Sequence, residues 1–150
     1  KDDFSMSLVA ANLGGQVKAF GDDHEALPFN LQWGFTKGIA HAPIRVSVTL
    51  TDLTHWSKDY YYNPEGESSF GRIFMNHLNI GADILLSSSI YAAIGFNFRR
   101  ASELKAAGST HAAGLTLGAG ATLKRFTLGI AYAKYHVSVP SLSLSVGYSL

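Results

Sequence analysis

The chain of 150 residues has no cysteine, which excludes a disulfide framework, a thiolate metal site and a cysteine nucleophile. Its six histidines are scattered and form no HExxH pattern, so no metal motif is present and no cofactor is implied. Charge is scarce too: charged residues make up 15% of the chain, where a soluble domain carries roughly 25%. Twelve basic against 11 acidic side chains leave a net charge of +1 with no basic run, which gives nucleic acid no electrostatic footprint. No apolar stretch approaches the roughly 20 residues that a membrane helix needs. The opening KDDFSMSLVA lacks the charged-then-apolar layout of a signal peptide, so an exported chain would have lost its signal or be a piece of a longer protein.

What remains is 47% hydrophobic residues, set among Ser, Thr, Gly and Asn rather than among charges. Period-two alternation recurs in eight segments of about ten residues. A weaker first segment covers 4–11. In the second, 27–37, Leu27, Phe29, Leu31, Trp33 and Phe35 share a face opposite Asn30, Gln32, Gly34 and Thr36. The third, 44–51, sets Ile44, Val46, Val48 and Leu50 against Arg45, Ser47, Thr49 and Thr51. The fourth covers 77–86 and the fifth 90–99, the latter with Phe98 on its apolar parity and Arg99 on its polar one. The sixth (114–123), seventh (126–132) and eighth (141–150) follow with the same alternation.

Such lengths suit a tilted membrane-spanning strand of roughly 9–11 residues better than the globular mode of about 5–6. Connection lengths alternate: 12–26 long, 38–42 short, 52–76 long, 87–89 short, 100–112 long, 124–125 short, 136–140 intermediate. Outer-membrane barrels have short periplasmic turns and longer extracellular loops, which places the C-terminus on the periplasmic side. A lipocalin-like soluble barrel is the alternative, but its outer face would be Ser, Thr, Gly and Asn with little charge for solubility. The expected fold is therefore all-β, an antiparallel transmembrane barrel. Phe29, Phe35, Phe98, Phe126 and Tyr148 fall near strand ends, where aromatic girdles belong.

The lumen faces of the last three segments are minute side chains, from Gly114 and Gly118 through Gly129 and Ala131 to Ser143 and Gly147. An eight-stranded barrel is just wide enough for its side chains to fill. Water, another polypeptide segment or a wider barrel must account for the space. Arg45 and Asp83 lie on lumen faces of adjacent strands and are expected to form a salt bridge. Arg100 shares the parity of Phe98, and Lys134 that of Tyr132, so both are candidates to snorkel towards lipopolysaccharide phosphate.

The segments NLGGQVKAFGDDHEALPFNLQWGFTKGIAHAPIRVSVTL, HLNIGADILLSSSIYAAIGFNFRRASELK and LKRFTLGIAYAKYH resemble the PorQ family, outer-membrane barrel proteins of the type IX secretion system of Bacteroidetes. The FNFRRASELK hairpin tip is the most specific of them. The resemblance maps the chain onto the C-terminal part of a family about twice as long, which is similar to FadL-like barrels of about fourteen strands. It implies that the strands here belong to a larger barrel. It also implies a non-enzymatic role in the attachment complex that, with PorU, PorV and PorZ, fixes exported cargo to lipopolysaccharide, the barrel anchoring a PorZ-like surface protein.

Partner-binding candidates are Trp56, Tyr60, Tyr61 and Tyr62 in the longest loop, residue types favoured as interface anchors. Arg99, Arg100, Glu103 and Lys105, which match the family's RRxELK pattern, are the second set; a salt-bridged tip that only holds the loop is their alternative role. A FadL-like transport channel for small apolar ligands is the rival function. A rim hydrolase would need Ser or Asp beside His55, His77, His111 or His136, and no partner motif accompanies them.

Overall fold

The computed structural model describes residues 3–15, 27–58, 69–108, 112–134, 136 and 138–149. The chain is all-β with two short helices. Its strands are β1 (Phe4–Ala11), β2 (Asn30–Gly38), β3 (Ile44–Leu50), β4 (Leu78–Leu85), β5 (Ile90–Asn97), β6 (Leu115–Leu123), β7 (Phe126–Ala133) and β8 (Ser141–Tyr148). They form a single eight-stranded sheet in sequence order, every neighbouring pair antiparallel. β1 and β8 are the two ends of that order, each paired on one side. No helix among the described residues is long and apolar enough to cross a membrane.

Directly opposed residues of an antiparallel pair project to the same face, so the register can be followed from strand to strand. One row runs Met6, Phe35, Val48, Ile80, Phe96 and Leu115. A second runs Ile94, Leu117, Tyr132 and Leu142. The other face carries Ser5 opposite Thr36, Ser47 opposite Gly81, Gly120 opposite Gly129 and Ala131 opposite Ser143. The sheet is thus apolar on one side and polar or small on the other, and large side chains of the apolar side are exposed. Leu8 is 69% exposed, Leu144 76% and Val146 74%. Near the end of the sheet that holds the residue 124–125 turn, the Phe126 and Tyr148 rings lie 5.1 Å apart and Phe4 lies 6.5 Å from Phe35.

The buried apolar side chains are elsewhere: Ile73, Ala101, Leu104, Ala113 and, at the end of β7, Ala133. Most belong to helices α1 (Phe70–His77) and α2 (Phe98–Ala106) and the segment that follows. Both helices lie in connections that sequence alternation treats as plain loops. α1 starts where Ser69 Oγ accepts from the Arg72 amide at 3.4 Å, and the spacing of Phe70, Ile73, Phe74 and His77 is helical. α2 corrects the fifth segment. β5 stops at Asn97, whose Oδ1 accepts the Arg100 amide at 2.8 Å as an N-cap, so Phe98 and Arg99 are helical rather than strand residues. The run Arg-Arg-Ala-Ser-Glu-Leu-Lys then favours helix. Gly114 closes this corner with a φ of 78°, and a Cβ there would strike the Asn97 carbonyl oxygen and the Ala101 side chain.

Candidate functional site at the helical end of the sheet

Because neighbouring strands are antiparallel, the connections 12–29, 51–77, 98–114 and 134–140 open at one end of the sheet and 39–43, 86–89 and 124–125 at the other. α1 and α2 therefore meet above the same edge. Residue 149 lies at the opposite end, where the Ser149 amide donates to the Arg125 carbonyl at 2.8 Å.

Asp52 organises the helical end. It is 7% exposed and takes a φ of 55°, which turns the chain sharply out of β3. Its amide donates to Asn30 Oδ1 at 3.2 Å, at the start of β2. Its carboxylate accepts from Arg99 Nη1 at 2.7 Å, while Arg99 Nε donates to Glu103 Oε1 one helical turn on, also at 2.7 Å. One residue thus ties the β3–β4 connection to β2 through its amide and to α2 through its carboxylate. A charge-assisted bond between side chains 35% and 10% exposed is worth more than a surface pair, though water still screens it.

Beside it, His77 is completely buried. Its Nδ1 lies 2.7 Å from the Thr51 carbonyl oxygen, and because a carbonyl only accepts, Nδ1 carries the proton. The Thr51 amide and hydroxyl donate back to the His77 carbonyl at 2.8 and 3.3 Å. The Trp56 ring covers the imidazole with centroids 4.1 Å apart, donates through Nε1 to the Leu53 carbonyl at 2.7 Å and stacks on Phe70 at 6.3 Å.

Several sequence candidates therefore gather here. Trp56, Arg99 and Glu103 all sit at the helical end, engaged with residues of their own chain. Lys105 is exposed in the last turn of α2. Arg100 does not continue the outward parity of Phe98, since neither is on a strand; it lines the polar face instead. That removes the parity argument for Arg100 at lipopolysaccharide phosphate. Lys134 follows β7 at the same end and is half-buried. Tyr60, Tyr61, Tyr62 and His111 lie outside the described residues. Arg45 and Asp83 face each other in the β3–β4 register, and Asp83 Oδ2 accepts from Arg45 Nε at 3.1 Å and Nη2 at 3.0 Å. The His55 and His136 Nδ1 atoms are 3.2 Å from Thr54 Oγ1 and from the Ser138 amide respectively. Among the described residues no three His, Asp or Glu side chains group as a metal site.

The fourth alternating segment takes His77 as a strand residue on the polar face, whereas it ends α1 and is buried; Asp52 falls just past the third segment, where parity no longer says which way a residue points. The two helical cap signals, Ser69 and Asn97, were the available clue. On the polar face below α2, residues from β2 to β6 also enclose a hollow of about 410 Å³. Gln32, Thr49, Thr51 and Asn79 form one side; Asn97, Arg100 and Thr116 form the other. It adjoins a second hollow of about 320 Å³ through Gly95 and Thr116, floored by Gly118, Gly129 and Ala131.

Fold and site together define an all-β chain built on one antiparallel eight-stranded meander with a helical cap at one end. Comparison of the chain with family models, with curated proteins and with solved structures finds no match.

Proposed function

We propose that the chain is the C-terminal wall of a FadL-like outer-membrane barrel, and that this barrel is a non-enzymatic anchor in a type IX secretion attachment complex. The observation that carries the membrane part is the uncovered apolar face that spans all eight strands. A side chain such as Leu144 is worth about 1.5–3 kcal/mol when removed from water, and a face of such residues has to be covered by lipid or protein. The opposite face of Gly, Ala, Ser, Thr and Asn suits a wet lumen. Small residues on β6–β8 leave the width that a barrel of more than eight strands would have. β1 and β8 are then joined by further strands, as a spanning sheet requires.

In this reading the helical end faces the cell exterior and residue 149 the periplasm. The anchor role rests on the resemblance of the FNFRRASELK and neighbouring segments to the PorQ family. A PorZ-like surface protein would dock on what the helical end leaves exposed: the outer edge of Trp56, 39% exposed, Phe70, 74% exposed, and Lys105. Lipopolysaccharide and contact with PorU and PorV would complete the surroundings. The test is purification of the tagged protein from its native outer membrane in mild detergent, with mass spectrometry of stoichiometric companions. A large surface protein whose recovery falls in Trp56→Ala and Lys105→Glu variants is the expected result. A solitary barrel would overturn the anchor role in favour of transport.

A further inference from the structure

The apolar face of the sheet is not level. On β6 its parity falls on Ala119 and Ala121, whereas the residues directly opposite Ala121 are Ile90 on β5 and Leu128 on β7, and Leu128 in turn faces Val146 on β8. The short side chains leave an open groove of about 450 Å³, walled by Ile90, Leu128, Ile130, Leu144 and Val146, and no charged side chain lines it. Such aliphatic walls suit a hydrocarbon chain. The groove runs towards a cationic turn. Along β6, Ala121 is followed by Leu123 and then by the exposed pair Lys124 and Arg125, whose start lies three residues on and so about 10 Å away. Arg125 leans to the apolar side: its Nη1 donates to the Tyr148 hydroxyl at 3.4 Å, and Tyr148 shares the parity of Leu144 and Val146 and packs on Phe126. No acidic residue follows Glu103 in the chain. The neighbouring turn, 86–89, reached where the Thr122 amide donates to the Ser89 carbonyl at 2.7 Å, consists of leucine and serines. Asp83, on the polar face, has Arg45 as its own cation.

We propose that groove and turn together hold one glycerophospholipid of net negative charge, with an acyl chain over Ala119 and Ala121, the glycerol beside Phe126 and Tyr148, and the phosphate on Lys124 and Arg125. Cation, aromatic pair and apolar groove follow one another along the strands in the order in which phosphate, glycerol and acyl chain follow one another in the lipid. A guanidinium matches the paired oxygens of a phosphate, aromatic rings mark headgroup level, and each cation near the surface adds affinity for an anionic lipid. The inference rests on the membrane reading above, which places the 124–125 turn at the periplasmic leaflet, and is independent of the anchor role.

Native mass spectrometry tests it, on the tagged protein purified from its native outer membrane in mild detergent, stripped of lipid and titrated with phosphatidylglycerol or with zwitterionic phosphatidylcholine. One phosphatidylglycerol per protein should bind saturably, with phosphatidylcholine weaker by about fivefold or more. Lys124→Gln combined with Arg125→Gln should abolish that preference. Ala121→Phe, which fills the groove and keeps both cations, should weaken both lipids by about threefold or more. The turn is exposed, so the double variant decides the matter if Ala121→Phe fails to fold. Equal binding of the two lipids, a folded double variant that still prefers phosphatidylglycerol, an unchanged affinity in folded Ala121→Phe, or a second copy of the chain on this face in place of lipid would each overturn the proposal. Protein that inserts into vesicles yet shows no preference would overturn it and leave the membrane reading standing; protein that stays in solution without detergent would overturn both.

Discussion

At the helical end, Ile73, Ala101 and Leu104 are 4%, 6% and 8% exposed, around a His77 that water does not reach. In β8, Leu142, Leu144 and Val146 are 66%, 76% and 74% exposed. The first region satisfies itself. Its apolar groups are buried, the Asp52 carboxylate and His77 Nδ1 are hydrogen-bonded within the chain, and its helices are capped. The second satisfies only its backbone, through the ladder to β7, and leaves its side chains to whatever lies outside the sheet. Two kinds of burial therefore coexist in one chain: an internal core about the size of two helical turns, and an external face whose stability depends on the medium.

The largest expected effect separates these two kinds. Ile130→Arg, in the middle of β7 on the apolar face, should cost about 2–4 kcal/mol in lipid vesicles, whereas Ser143→Arg on the opposite face should change stability by less than about 0.5 kcal/mol. Urea unfolding of both variants in the same vesicles measures this. Equal losses would mean that the two faces do not see different solvents. Next, His77→Ala should cost about 2–3 kcal/mol by opening a void beneath Trp56 and leaving the Thr51 carbonyl without its donor. Trp56 emission should then report a wetter ring while the strand signal in circular dichroism persists; a collapse of the whole sheet would show that the helical end is not a local core. The smallest effects are those of the ion pairs. A double-mutant cycle on Arg99 and Asp52 should give about 1 kcal/mol. The same cycle on Arg45 and Asp83, whose side chains are 43% and 24% exposed, should give less than about 0.5 kcal/mol and vanish in salt. The reverse order would contradict the view that the helical end is the drier region.

The strands were legible because alternation over about ten residues leaves few other solutions, and even the weak first segment, with Met6 and Leu8 on one parity, forms β1. The opposition of Arg45 and Asp83 was legible for the same reason, since a register with period two fixes which residues can meet. The helices were not. α1 and α2 each have barely two turns, too short for a 3.6-residue period to stand out, and Phe98 happens to prolong the parity of β5 past its end. The buried settings of Asp52 and His77 and the hollow beside Arg100 were not legible, because they join residues from several strands and connections, a juxtaposition that local pattern does not encode.

In water the bare apolar face and the one-sided strands β1 and β8 form a hazard during folding. β8, SLSLSVGY, has no charge and no proline, the composition of a segment that stacks with copies of itself. Until a further strand pairs with it, its outer edge offers hydrogen bonds to any passing strand, and nothing in its sequence acts as a gatekeeper. The order of events then matters more than the final stability. An amphiphile present while the strands pair gives each apolar row somewhere to go; the same amphiphile supplied after dilution into buffer arrives when the rows have already covered one another in a precipitate.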